Sequence, residues 1–183
     1  MSKIGKKPIA VPSGVDVSFT DHTLTVKGSK GTVTRVVPVF LDVTIQDGKV
    51  FVAPAEGGTH GELAARWGLE RALIRNMIVG VSKGFQEALE LQGVGYKAMV
   101  KGGGLELNLG LSHPVVVPTP EGITFTVEKN IVTVSGSDHE VVGRTAASIR
   151  SLRPPEPYKG SGIRYVGEVI KLKAGKKAVA TAA

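Results

Sequence analysis

Hydrophobic and polar residues alternate in several short runs of the chain, and this alternation predicts β-strands. The clearest runs lie in two segments bounded by glycines, GVDVSFTDHTLTVKG at 14–28 and GITFTVEKNIVTVSG at 122–136. Each contains two alternating runs around a polar turn, TDH or EKN, which is typical of a β-hairpin. Further strands are predicted at TVTRVV, DVTIQ and KVFVAP after the first hairpin, and at FQEALELQGVGY, YKAMVKG and LELNLG before the second.

Two longer segments have the periodicity of amphipathic helices. THGELAARWGLERALIR and SDHEVVGRTAASIRSLR begin 78 positions apart, at Thr59 and Ser137. Each opens with a capping box, in which the hydroxyl can accept from the third backbone N–H of the helix while the glutamate three positions on, Glu62 or Glu140, reaches back to the cap. Apolar stripes on both helices are expected to face the core. Their members are Leu63, Trp67, Ile74 and Ile78 in the first helix and Val141, Thr145, Ile149 and Leu152 in the second.

The order of hairpin and helix therefore occurs twice in the chain, which indicates an internal duplication. We predict an α+β fold made of two tandem copies of a small, mostly antiparallel sheet with one helix packed across it. The predicted divisions are an N-terminal repeat at 1–82, a C-terminal repeat at 83–170 and a basic, flexible tail at 171–183.

Positive charge is concentrated in one part of the chain. Residues 144–177 contain nine Lys and Arg residues against two Glu residues, and this segment accounts for the whole formal net charge of +7. Like charges repel unless an anion offsets them, so a phosphate-rich partner is favoured over a merely soluble basic tail. The chain has no cysteine and no apolar run of the roughly 18 residues that span a membrane, which fits a cytosolic protein without a membrane partner.

Motifs of enzyme chemistry are weak. GVSKG, centred on Ser82, has the G-x-S-x-G pattern of a hydrolase nucleophile, and His113, His139 and Asp138 follow it. That chemistry needs a strand before the serine and a helix after it, whereas the order here is reversed, so the glycines are interpreted as a helix end near Gly80. The histidines have no second ligand at metal-binding spacing. We predict no catalytic site, metal, cofactor or small-molecule substrate.

The stretch RPPEPYKGSGIRY at 153–165 combines prolines, glycines, tyrosines and positive charge. Its prolines are expected to force an extended loop whose restricted freedom reduces the entropy lost on binding. Lys159 and Arg164 are placed to contact phosphates, and Tyr158 to contact bases or sugars. Arg153 has two open interpretations, an RNA contact or a cap of the preceding helix. Tyr165 is expected to start a strand and pack in the core.

This stretch resembles the signature PEPYKGKGIRY of bacterial large-subunit ribosomal protein six, with Ser161 in place of a lysine. SKIGKKPI, LELQGVGYKA, LGLSHPV and the basic tail are also similar to that family, in the same order along the chain. The resemblance implies a non-enzymatic protein with two tandem α+β copies that binds large-subunit rRNA, mainly through the second copy. It also implies a position beside neighbouring ribosomal proteins at the stalk base, near the region where translational GTPases bind.

Carried onto this chain, the resemblance and the charge pattern give a set of candidate RNA-binding residues. They are Arg153, Tyr158, Lys159, Arg164, Lys171, Lys173, Lys176, Lys177, Tyr96 and Lys97. A plain β-bulge explains the GVGYK turn that contains Tyr96 and Lys97 about as well. The lysines of the opening segment, Lys3, Lys6 and Lys7, are interpreted as a solvated terminus, with a second, weaker RNA contact as the alternative. Two rival functions stay open, a protein-binding adaptor and a hydrolase that uses Ser82.

Overall fold

The computed structural model describes residues 2–55 and 60–174, with the side chains of 60–62 left out. The chain divides into two compact units. One contains the residues up to Phe85 together with Gly136–Glu140, and the other contains Gln86–Ser135 together with the residues from Val141 onward. Each unit combines short strands with one helix, so the predicted α+β class with two tandem copies is confirmed. Neither helix of the described part is long and apolar enough to cross a membrane.

The first unit has two three-stranded sheets and one helix. The elements are β1 (Ile9–Ala10), β2 (Asp16–Thr20), β3 (Thr23–Gly28), β4 (Gly31–Val36), β5 (Leu41–Gln46), β6 (Lys49–Pro54) and α1 (His60–Lys83). The strand orders of the sheets are β1-β6-β5 and β2-β3-β4, and the strand pairs are antiparallel. The hairpin predicted at 14–28 is β2–β3, whose turn residues Asp21 and His22 have φ of 48° and 57°, as tight hairpin turns require.

The core of the first unit lies between the sheets and α1. Trp67, Ile74 and Ile78 of the predicted stripe are buried there, and Leu63 packs against the same cluster. The indole N–H of Trp67 donates to the Val52 carbonyl at 2.7 Å, which satisfies the polar atom of a side chain that is only 7% exposed. The capping box predicted at the start of α1 lies outside the described residues.

The second unit repeats this arrangement with more strands. The elements are β7 (Phe85–Gln92), β8 (Lys97–Lys101), β9 (Gly104–Asn108), β10 (Val115–Pro118), β11 (Ile123–Glu128), β12 (Ile131–Gly136), α2 (His139–Leu152) and β13 (Gly162–Tyr165). The strand orders of the two sheets are β10-β9-β8 and β11-β12-β7-β13. The hairpin predicted at 122–136 is β11–β12, and β13 pairs antiparallel with β7.

Several details differ from the sequence-based expectations. Each unit divides its strands between two sheets, and the short strands β1 and β10 carry too little alternation to predict. Leu152 is 36% exposed, whereas Val142 and Ala146 are buried. The buried face of α2 consists of Val142, Thr145, Ala146 and Ile149, so it is rotated from the predicted stripe.

Candidate RNA interface

The proline-rich stretch forms a closed loop between α2 and β13. The N–H of Ile163 donates to the Arg153 carbonyl at 2.8 Å, and the N–H of Glu156 donates to the Ser161 carbonyl at 2.9 Å. Within the loop, the N–H of Gly160 donates back to the Glu156 carbonyl at 2.9 Å. These bonds fold the stretch back on itself, so the expectation of an extended loop is corrected: the prolines stiffen a turn whose backbone groups bond to one another.

Gly162 allows the two sides of this loop to meet. Its φ is +146°, a conformation that side-chain-bearing residues rarely adopt. A Cβ at this position would lie 2.6 Å from the Pro155 Cα and 2.7 Å from the Pro154 carbonyl oxygen. Both atoms belong to stiff proline backbone, so the loop requires glycine here.

The basic segment after β13 packs against the tip of the loop. The N–H of Lys173 donates to the Pro157 carbonyl at 2.7 Å, and the Leu172 side chain lies 3.5 Å from the position of a Cβ on Gly160. Tyr158 at the tip is 56% exposed. The loop and the tail therefore present one exposed set, called here the basic loop surface, which consists of Tyr158, Lys159, Lys171 and Lys173.

Arg164 has a partner inside the protein. It lies on β13 directly opposite Glu90 of β7. Its Nε and Nη2 donate to the Glu90 carboxylate at 3.0 and 2.8 Å, and both side chains are 28% exposed. The pair uses two of the five guanidinium N–H donors. The positive charge of Arg164, which was expected to be offset by a phosphate-rich partner, is thus offset in part by a carboxylate from another strand.

A second arginine of the basic segment is also paired. Arg150 donates through Nε and Nη2 to the Glu168 carboxylate at 3.2 and 2.6 Å. The hydrogen bond from Arg150, helped by one from the backbone N–H of Tyr165, lowers the pKa of Glu168 below its ordinary value. The same guanidinium lies 5.7 Å from the centre of the Tyr165 ring. Tyr165 ends β13 instead of starting a strand, and it is half-buried instead of lying in the core.

The GVGYK turn meets the base of the proline loop. The Nε of Arg153 donates to the Tyr96 hydroxyl at 3.3 Å, so within the described residues it bonds to this hydroxyl and not to a carbonyl of α2. The Tyr96 ring lies over Gly93, where a Cβ would be 2.8 Å from the ring carbons. Lys97 is exposed at the start of β8. The structure thus brings two of the candidate residues into contact.

Comparison with known proteins gives the family of the chain. The family model described as "Ribosomal protein L6" matches residues 11–84 and again residues 92–166. The chain belongs to the ribosomal protein L6 family. The two matches follow one another along the chain, and each contains one helix and one of the two hairpins predicted from the sequence, which agrees with the predicted duplication.

Several proteins of the L6 family are similar to this chain over nearly their whole length. A protein of Nitratiruptor sp. is 52% identical over 180 residues, covering 97% of this chain and 99% of the relative. A protein of Magnetococcus marinus is 53% identical over 178 residues, with the same two shares. A third, of Trichlorobacter lovleyi, is 52% identical over 177 residues, covering 96% and 98%. All three are named "Large ribosomal subunit protein uL6".

Three further residues of the proposed RNA-binding segment, Ser161, Lys176 and Lys177, have the following places in this L6 family chain. Ser161, the residue that departs from the family signature, donates from Oγ to the Glu156 carboxylate at 3.3 Å. Lys176 and Lys177 lie outside the described residues. The internal pairing of Arg150 and Arg164 was not predicted; Glu90 reaches Arg164 only through the register of two strands far apart in the chain.

Ser82 has a structural position in the L6 fold. It lies in the last turn of α1, which extends to Lys83 and thus beyond the predicted end at Gly80, and its hydroxyl donates to the Val79 carbonyl at 3.0 Å. Gly84 directly follows the helix; its φ is 79° and its N–H donates to the Gly80 carbonyl, as in an αL cap. Within the described residues, no three His, Asp or Glu side chains are grouped to hold a metal. The L6 family is one of structural ribosomal proteins and not a class of enzymes.

Proposed function

We propose that the chain is a structural constituent of the large ribosomal subunit, in the cytoplasm, and that it binds large-subunit rRNA. The observation that carries this proposal is the near full-length similarity to relatives named as large-subunit proteins. The charge distribution supports it, because the formal net charge of +7 suits a polyanionic partner.

The second repeat, residues 83–170, is the main RNA-binding domain in this proposal, and the tail at 171–183 extends its surface. The lysines of the basic loop surface neutralise phosphates and release counterions. Tyr158 stacks on a base or contacts a sugar at the stiffened tip of the loop. Because the loop is already closed by its own hydrogen bonds, little ordering entropy is lost when it binds.

The arginines contribute in a different way from the lysines. Arg164 keeps its ion pair with Glu90 and contacts RNA through its remaining N–H donors. Arg153 and Tyr96 form one contact unit at the base of the loop, joined by their hydrogen bond. Lys97, Lys176 and Lys177 add further positive charge along the same proposed RNA path.

We also propose a position for the chain near the stalk base, beside neighbouring ribosomal proteins and the rRNA loop that translational GTPases approach. This position rests on the resemblance of the RPPEPYKGSGIRY stretch to the family signature.

Changing Lys159, Lys171 and Lys173 to Ala is expected to weaken binding to large-subunit rRNA and to reduce its salt dependence. Each lost phosphate contact removes about 0.7 to 0.9 from the slope of log K against log salt, so the triple variant should lose about 2 to 3 units. Filter binding of the purified full chain across a potassium chloride series measures both quantities.

The matched control changes Lys27, Lys30 and Lys49, three exposed lysines of the first unit, to Ala. It removes the same charge and should change the slope by less than about 1 unit. Equal slopes for parent and site variant would contradict the assignment to the basic loop surface. Failure of the parent to bind rRNA at all would contradict the proposed function itself.

A further inference from the structure

The first unit carries a second exposed group of lysines, on the turn formed by residues 2–7. The N–H of Gly5 donates to the Ser2 hydroxyl at 3.1 Å, and the N–H of Lys7 donates to the Ile4 carbonyl at 3.2 Å. These two bonds close the segment into a compact turn. This turn, called here the N-terminal basic turn, has a defined conformation in the structure, unlike a solvated end.

Two residues of helix α1 hold this turn in place. Gly5 is buried against the Trp67 ring, where a Cβ would lie 2.6 Å from a ring carbon. Arg71 donates from Nε to the Lys7 carbonyl at 3.2 Å and from Nη2 to the Pro8 carbonyl at 3.3 Å. The buried Ile9 then begins β1. The backbone is thus held on both sides of its lysines.

The anchored turn holds Lys3, Lys6 and Lys7 close together. All three are exposed, and their spacing of i, i+3 and i+4 places side chains near one another in a helical type of turn. Arg71 adds a fourth positive charge beside them. Among the side chains that the structure describes, no carboxylate forms an ion pair with these lysines. Like charges held together repel one another, and an anion relieves that repulsion.

We propose that the N-terminal basic turn is a second RNA-binding site, which contacts backbone phosphates of large-subunit rRNA in addition to the basic loop surface. The inference rests on the proposed function of the chain. Lysine ammonium groups bind phosphate oxygens as point charges, and an RNA backbone supplies phosphates in close succession, which suits three lysines on one turn. The site is sequence-independent, because no base-reading side chain belongs to it.

Changing Lys3, Lys6 and Lys7 together to Gln tests the site. The slope of log K against log salt for large-subunit rRNA should shrink by about 2 units relative to the parent. Changing Lys27, Lys30 and Lys49 to Gln is the matched control, because these lysines are exposed in the same unit. The control should lose less than about 1 unit. Both variants should keep the parent's circular dichroism and melting curve, since none of the six side chains is buried.

Changing Arg71, which holds the turn, tests the site a second time without changing the three lysines. Arg71→Met removes both hydrogen bonds to the turn, whereas Arg75→Met, one helical turn further along α1, removes the same charge from an exposed position. Arg71→Met should weaken rRNA binding several-fold more than Arg75→Met. It should also increase the hydrogen exchange of the Lys7 amide.

The outcomes separate this proposal from the broader one. A parent that binds rRNA while the lysine variant and its control lose equal slope would overturn the second site alone. So would an unchanged slope combined with weaker binding of the variant to polyglutamate, which would favour an acidic protein as the partner. A parent that does not bind rRNA would overturn both proposals.

Discussion

Replacing Arg35 with Met is expected to lower the free energy of unfolding of the first unit by about 3 kcal/mol. Arg35 on β4 donates from Nε and Nη2 to the carboxylate of Glu70 on α1, at 2.8 and 3.1 Å. The hydrogen bonds to Glu70 raise the pKa of Arg35 further above its ordinary value. The Glu70 side chain is only 7% exposed, so the variant would leave a carboxylate buried without its partner. Urea unfolding monitored by Trp67, the single tryptophan, measures the change.

The double variant Arg35→Met with Glu70→Leu is the control for this prediction. It removes both charges, and replacing a buried ion pair with apolar residues is often close to neutral. It should therefore recover most of the stability that the single variant loses, and end within about 1 kcal/mol of the parent. A single variant as stable as the parent, or a double variant less stable than the single, would show that the ion pair does not join β4 to α1 as described.

Replacing Gly162 with Ala is expected to destabilise the second unit by about 2 to 4 kcal/mol. The new Cβ would lie within 2.7 Å of the backbone of Pro154 and Pro155, and the φ of +146° adds conformational strain. The loop would have to open, which breaks the hydrogen bond from the Ile163 N–H to the Arg153 carbonyl. Hydrogen exchange of the Ile163 amide and thermal unfolding followed by circular dichroism measure the effect, and rRNA affinity should fall with it.

Gly167 supplies a matched comparison in the turn after β13. Its φ is also positive, at 85°, but a Cβ there would meet nothing within 4 Å. Gly167→Ala should therefore carry only the backbone strain, about 1 to 2 kcal/mol. If the two alanine variants were equally stable, the close approach of Pro154 and Pro155 to Gly162 would not contribute to the free energy of unfolding.

Much of this fold could be predicted from the sequence because its signals are local. The hairpins at 14–28 and 122–136 follow from alternation around polar turns, and the structure confirms both. The stripe of α1 follows from helical periodicity, and Trp67, Ile74 and Ile78 are buried as expected. The duplication needed only a comparison of the chain with itself.

The features that could not be predicted depend on contacts between distant parts of the chain. Glu90 pairs with Arg164 because β7 and β13 are neighbours in a particular register, which no local pattern records. The anchoring of the N-terminal basic turn depends in the same way on Trp67 and Arg71, more than 60 positions away. The closed form of the proline loop rests on hydrogen bonds across it, whereas the sequence showed only its stiffness.

Directed hydroxyl-radical probing from the loop tip tests whether the basic loop surface lies against large-subunit rRNA. The chain has no cysteine, so Tyr158→Cys would carry one thiol for an iron chelate in the assembled large subunit. Thr44→Cys, exposed on β5 of the first unit, is the control position. We expect strong cleavage of large-subunit rRNA from position 158, at the loop that translational GTPases are proposed to approach, and a different pattern from position 44. No rRNA cleavage from position 158 above that of unmodified protein would contradict it.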